Sequence, residues 1–185
     1  MLGKKVTVIG YFAFERGAEG DRKMFGGQTA KCRSLVAHLK TEHAENEIAT
    51  VDTYRWKARP LPLLLDCLRK LRGSDVVLMA LSENGLGFFM PLLLHLKKIY
   101  GFKLGYVVIG GWISDRCRSS KKLLKLLKRL DSVFAETVPM AEELRDLGIE
   151  KVEFAPNGKD LEIADRADAT DLLSVPYTLG TFSRV

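Results

Sequence analysis

Two periods alternate along this chain, and that alternation restricts the folds open to it more than any other property. Short apolar runs suited to strands occur at 6–9, 48–51, 75–81, 104–109, 133–135 and 152–154. Between them, leucines and alanines recur at three-and-four spacing over 28–40, 61–71, 91–98, 121–130 and 139–147. The second pattern predicts amphipathic helices. Strands alternating with helices of this length join through right-handed crossovers into a parallel sheet with helices on both faces.

The strand 75–80, which opens on Asp75, and the strand 106–109 are apolar on both faces, as strands buried in the middle of such a sheet should be. The expected fold class is α/β: a Rossmann-like, doubly wound parallel sheet in three layers, forming a single domain over residues 1–158. A chain of 185 residues with 46% hydrophobic residues is long and apolar enough to bury such a core. Residues 159–176, rich in Asp and Ala, read as a linker or hinge. Tyr177, Phe182 and Val185 lie in a segment that reads as the opening strand of a second, missing domain, since a strand after a charged linker has nothing local to pair with.

Cysteine usage and hydropathy narrow the setting. Cys32, Cys67 and Cys117 are odd in number, far apart and free of any C-x-x-C pattern, which argues against a disulfide framework or a zinc site and for a reducing cytoplasm. No secretory leader is legible at the N-terminus. The longest apolar run, 86–96, is broken by Pro91 and is too short to span a bilayer. His38, His43 and His95 are scattered without metal-ligand spacing or a nucleophilic partner, so no metal site is expected.

In a sheet of this kind, ligands bind at the carboxyl ends of the strands. Gly26, Gly27, Gln28 and Thr29 close the loop after the first strand and open the first helix, where free backbone N–H groups and the helix dipole favour an anion such as a phosphate. The pattern is not G-x-G-x-x-G, and only Asp52 stands at the end of the second strand, so a nicotinamide cofactor is disfavoured. Asn84 lies in the polar turn after the third strand. Gly111 and Trp112 follow the fourth, where an indole offers a flat apolar surface with one N–H donor. Glu136 follows the fifth strand and is expected to point into the crevice, while Thr137 caps the next helix and Pro139 sits in its first turn. Each of these residues also has an ordinary structural reading as a turn, a cap or a surface side chain.

In order and spacing, these segments resemble the N-terminal domain of GT-B glycosyltransferases of the group 1, or GT4, type. The resemblance is carried by 131–137, by 147–149 and the strand leading to Pro156, Asn157 and Gly158, by the glycine-rich 25–29, by 110–112 and by 181–185. It implies an acceptor-binding half that faces a donor domain across a cleft. Gly26, Gly27 and Gln28 would line that cleft, Gly111 and Trp112 would contact the acceptor, and Pro156, Asn157 and Gly158 would begin the hinge. It further implies a nucleotide-sugar as donor, a glycan or lipid-linked acceptor, a role in polysaccharide or glycoconjugate synthesis, retained stereochemistry and no cofactor. The donor-binding elements belong to the second domain, so the isolated chain is expected to be inactive.

Two other classes stay open: a binding subunit of a split glycosyltransferase, and a self-contained nucleotide-binding α/β protein. The net charge of +6 gathers visibly at Arg116, Arg118, Lys121, Lys122, Lys125, Lys128 and Arg129. Leu123, Leu126, Leu127 and Leu130 would face the sheet, leaving these cations to a solvated face or to an anionic membrane at the inner side. The basic residues are not interleaved with aromatics, which disfavours nucleic acid.

Overall fold

In a computed structural model, described over residues 3–14 and 26–156, the chain forms one parallel sheet wrapped by helices. The strands are β1 (Lys5–Gly10), β2 (Glu47–Asp52), β3 (Val76–Ala80), β4 (Lys103–Val107), β5 (Ser132–Ala135) and β6 (Val152–Phe154). The helices are α1 (Gly27–Glu42), α2 (Pro60–Leu71), α3 (Glu83–Tyr100), α4 (Ile113–Ser119), α5 (Lys121–Leu127) and α6 (Val138–Asp146). Every strand pair is parallel, and the order across the sheet is β2-β1-β3-β4-β5-β6. The Rossmann-like α/β class expected from the sequence is therefore the observed one.

The chain leaves β1 toward β2 on one side and returns to β3 on the other, so the strand order reverses between β1 and β3. That reversal opens a crevice at the carboxyl ends of those two strands. The helices divide unevenly over the two faces. Val77, Met79, Leu104, Tyr106 and Val133 pack in one core with residues of α2 to α6. Val8, Ala80 and Val107 form a smaller core with Cys32 and Val36 of α1. The alternation of these inward residues along β3 and β4 is the pleat itself, successive side chains serving opposite cores.

Two glycines let elements approach closely. A side chain at Gly10 would meet Cys32 Sγ at 2.7 Å and the Ala80 carbonyl at 3.3 Å, so α1 lies directly on the junction of β1 and β3. Gly105 sits between Leu78 and Phe134, at 3.0 and 3.1 Å from where its Cβ would be.

The helices depart from the sequence reading at two places. The segment expected as a helix over 91–98 begins instead at Glu83 and runs through Pro91. Proline removes one ladder hydrogen bond and crowds the carbonyl four residues back. Here that residue is Gly87, with nothing beyond the helix's own backbone within 4 Å of where a Cβ would lie, while Leu86, Phe89, Met90, Leu93, Leu94 and Leu96 are all buried. Burial of that stripe outweighs the lost bond. The basic helix expected over 121–130 stops at Leu127, and a short helix, α4, precedes it with Ser120 as the cap between them, accepting from the Leu123 N–H at 3.3 Å.

Candidate functional site: the carboxyl edge of the sheet

The loop after β1 is shaped by a residue of the neighbouring strand. Asp52 ends β2, and its carboxylate accepts from the backbone N–H groups of Phe12, Phe14 and Tyr54, each at 2.9 Å. Arg33 of α1 donates to the carbonyl of Phe12 at 3.0 and 2.8 Å and to that of Ala13 at 3.4 Å. Between these clamps Ala13 has φ 53°, a left-handed conformation that costs a residue with a side chain energy and persists only where its surroundings impose it. Asp52 is thus committed to three backbone donors.

Helix α1 starts beside this loop. Gly26 is its cap and contributes no capping side chain. Neither Gly26 nor Gly27 has anything within 4 Å of the position a Cβ would take. Their lack of side chains therefore serves no packing within the described chain, and among the described residues nothing covers the helix N-terminus, where backbone N–H groups favour an anionic group. Gln28 is half-buried and Thr29 is buried.

One turn further, Lys31 crosses the end of the sheet. Its ammonium donates to the Val108 carbonyl at 2.6 Å and pairs with the Glu136 carboxylate. The two side chains are 15% and 16% exposed, so the pair is largely removed from water. Glu136 lies at the carboxyl edge as expected, but its charge is answered from within the chain. The segments after β1, β4 and β5 are joined here. Sequence reading missed Lys31, although a signal existed: it follows Gly27 by four residues and so stands on the same side of the helix start.

Trp112 follows Gly110, whose φ of 85° bends the chain after β4 and is available to glycine without strain. The bend returns the indole Nε1–H to the Ile109 carbonyl at 2.7 Å. The donor expected to face a ligand is therefore spent on the chain itself, and the ring packs against the core. Gly111 beside it is exposed with open space around it. Tyr106, fully buried in β4, donates to the Leu81 carbonyl at 3.1 Å and so fixes the end of β3; burial pushes its phenol up.

Asn84 is exposed in the first turn of α3, because the helix starts earlier than expected. Its neighbour Glu83 pairs with Arg116 of α4 at 2.9 Å. The cap expected at Thr137 is present: its hydroxyl accepts from the Met140 N–H at 3.3 Å, with Pro139 in the first turn of α6. Pro156 is exposed just beyond β6, after Ala155 bonds to the Ala135 carbonyl at 2.8 Å. Asn157, Gly158, the linker 159–176 and the segment 177–185 lie outside the described residues.

The basic surface also changes. Arg118 belongs to α4 and pairs with Asp115 at 2.8 Å and Glu143 at 3.4 Å, so it does not share the α5 face with Lys121, Lys122 and Lys125. Lys128 and Arg129 lie in the turn beyond α5. Leu123, Leu124 and Leu126 of α5 all pack on the core. Among the described residues no three His, Cys, Asp or Glu side chains gather as a metal site would need, and no helix is long and apolar enough to cross a membrane.

Neither a protein-family model nor a curated protein matches this sequence. Among solved structures, the chain is similar to Anabaena Alr3699/HepE in complex with UDP and glucose, at 14% identity with a TM-score of 0.46. The match covers 85% of this chain and 45% of that one, so this chain spans less than half the length of that protein.

Proposed function

We propose that this chain is the acceptor-side half of a glycosyltransferase. A sugar would pass from a nucleotide-sugar, held by a donor domain or a separate subunit, to a glycan or lipid-linked acceptor in polysaccharide or glycoconjugate assembly at the inner side of the membrane. The observation that carries the reading is the Lys31–Glu136 pair. It ties the helix that opens at the resembling segment 25–29 to Glu136 of the resembling segment 131–137, at one edge of the sheet. Gly111 stands on the adjoining loop. The open α1 N-terminus, with Gly26, Gly27 and Gln28, supplies donors for an acceptor phosphate or hydroxyl, and Pro156 leads to the hinge.

In this reading the chain binds and orients, while the leaving diphosphate is stabilised by groups of the donor side. Calorimetry with UDP, GDP and their sugar conjugates on the isolated chain tests the division of labour: no binding is expected, and tight binding would mean a complete nucleotide site here and the end of the half-enzyme reading. A glycan array tests the positive half. Gly27→Phe enters open space, so it is expected to fold normally and to abolish glycan retention. Unchanged retention would remove α1 from the site.

A further inference from the structure

A second concentration of positive charge lies away from α4 and α5. Between Tyr54 and Arg72 there are six basic residues, Arg55, Lys57, Arg59, Arg69, Lys70 and Arg72, and one acidic residue, Asp66, a net of +5 out of the chain's +6. Asp66 is itself engaged, by Lys70 at 2.7 Å and Arg69 at 3.2 Å. These cations flank both ends of α2, and the middle of that helix is apolar.

Leu61 and Leu65, four residues apart on one side of α2, are 71% and 67% exposed. Beside them Trp56 stacks on Phe88 of α3 with centroids 5.1 Å apart, and Phe88 is itself 49% exposed. Trp56, Leu61, Leu64 and Phe88 line a groove of about 90 Å³. That is well below the roughly 300 Å³ at which pockets begin to enclose a soluble small molecule. The α5 surface is different, since none of its leucines is exposed.

We propose that α2 and the turn before it form a docking surface for an anionic lipid bilayer. Leu61, Leu65 and the Trp56–Phe88 pair would enter the boundary between headgroups and acyl chains. Arg55, Lys57 and Arg59 at one end of the helix, with Arg72 at the other, would meet anionic headgroups. A polar–apolar helix lying in the interface with cations at its margins and an aromatic at the headgroup level is the arrangement a membrane surface selects. The same charge opposes pairing of this face with a second copy of itself. The inference does not depend on sugar transfer.

The test is co-sedimentation of the full chain with vesicles of phosphatidylcholine alone and of phosphatidylcholine mixed with phosphatidylglycerol. Binding to the anionic vesicles is expected to exceed that to neutral ones by about tenfold at low salt and to fall as salt rises. Leu61→Gln with Leu65→Gln, and separately Arg55→Gln with Lys57→Gln and Arg59→Gln, should each lower it about tenfold. The triple change Lys121→Gln, Lys122→Gln, Lys125→Gln should leave it within about twofold. Trp56 and Trp112 are both half-buried against the core; in a Trp112→Phe chain, brominated lipid should quench the emission of Trp56, which stacks on the exposed Phe88. Equal binding to both vesicles, no binding, loss confined to the α5 variant, or a dimer that the α2 changes dissolve would each overturn the proposal.

Discussion

Lys31 and Glu136 are 105 residues apart in sequence, and their pairing binds the first helix to the end of the fifth strand. Because both charges are mostly buried, removing one leaves the other without a partner, which costs more than the pair contributes. Lys31→Met should therefore destabilise the domain by about 2–3 kcal/mol. Adding Glu136→Gln should restore part of that loss. Urea unfolding of the two single variants and the double variant measures the coupling, and simple additivity of the two losses would show that the pair carries no interaction worth the name.

Burial pushes the thiols of Cys32 and Cys117 up to about 11 and that of Cys67 up to about 12. All three are free and buried, so at pH 8 they present neither thiolate nor access. Reaction with a disulfide reagent should run at least ~100-fold slower in the native chain than in urea, and its rate should report opening of the fold. The sign with pH follows. Above the ordinary thiol value of 9.0 the unfolded chain releases protons that the folded chain keeps, so stability should fall as pH rises from there through about 11. Fast native labelling of any one cysteine would contradict its placement.

Asp131 stands just before β5 and accepts from the Leu104 N–H at 2.7 Å and from Lys97 at 2.5 Å. Burial pushes its carboxyl up, but these hydrogen bonds and the nearby Lys97 and Lys103 outweigh it and hold the group below its ordinary 3.8. A lowered value in the folded state means stability present above 3.8 and lost as pH falls through the folded value. Asp131→Asn should cost about 1 kcal/mol at pH 7 and flatten the acid limb of the stability curve below pH 4. An unchanged acid limb would assign that loss to other carboxylates.

The fold was legible because its evidence is periodic and local. Apolar runs marked all six strands within a few residues, and Thr137 with Pro139 announced the start of α6. What escaped was decided by tertiary contacts. A proline reads as a helix boundary, yet α3 passes through Pro91 because the stripe around it is buried. Four residues had an address but not a role. Glu136 was expected at the carboxyl edge, and its partner came from a helix more than a hundred residues earlier. Trp112 was expected to offer an N–H donor, but the left-handed Gly110 turns that donor inward. Asp131 belongs to the resembling motif, yet it fastens β5 to β4 and α3. Asp52, the one acid at the end of the second strand, is a clamp for backbone amides.

The clamp at Asp52 has an outcome for access to the crevice. Among the described residues β2 is the outermost strand on its side of the sheet, with β1 as its neighbour, while the loop it shapes stands at the sheet's point of reversal. The entrance is thus assembled by the periphery rather than by the rigid centre. Fraying of β2 would release the amides of Phe12, Phe14 and Tyr54 together, and the kink at Ala13 would relax with them. The mouth of the crevice can only be as well formed as the hold of that edge strand on β1.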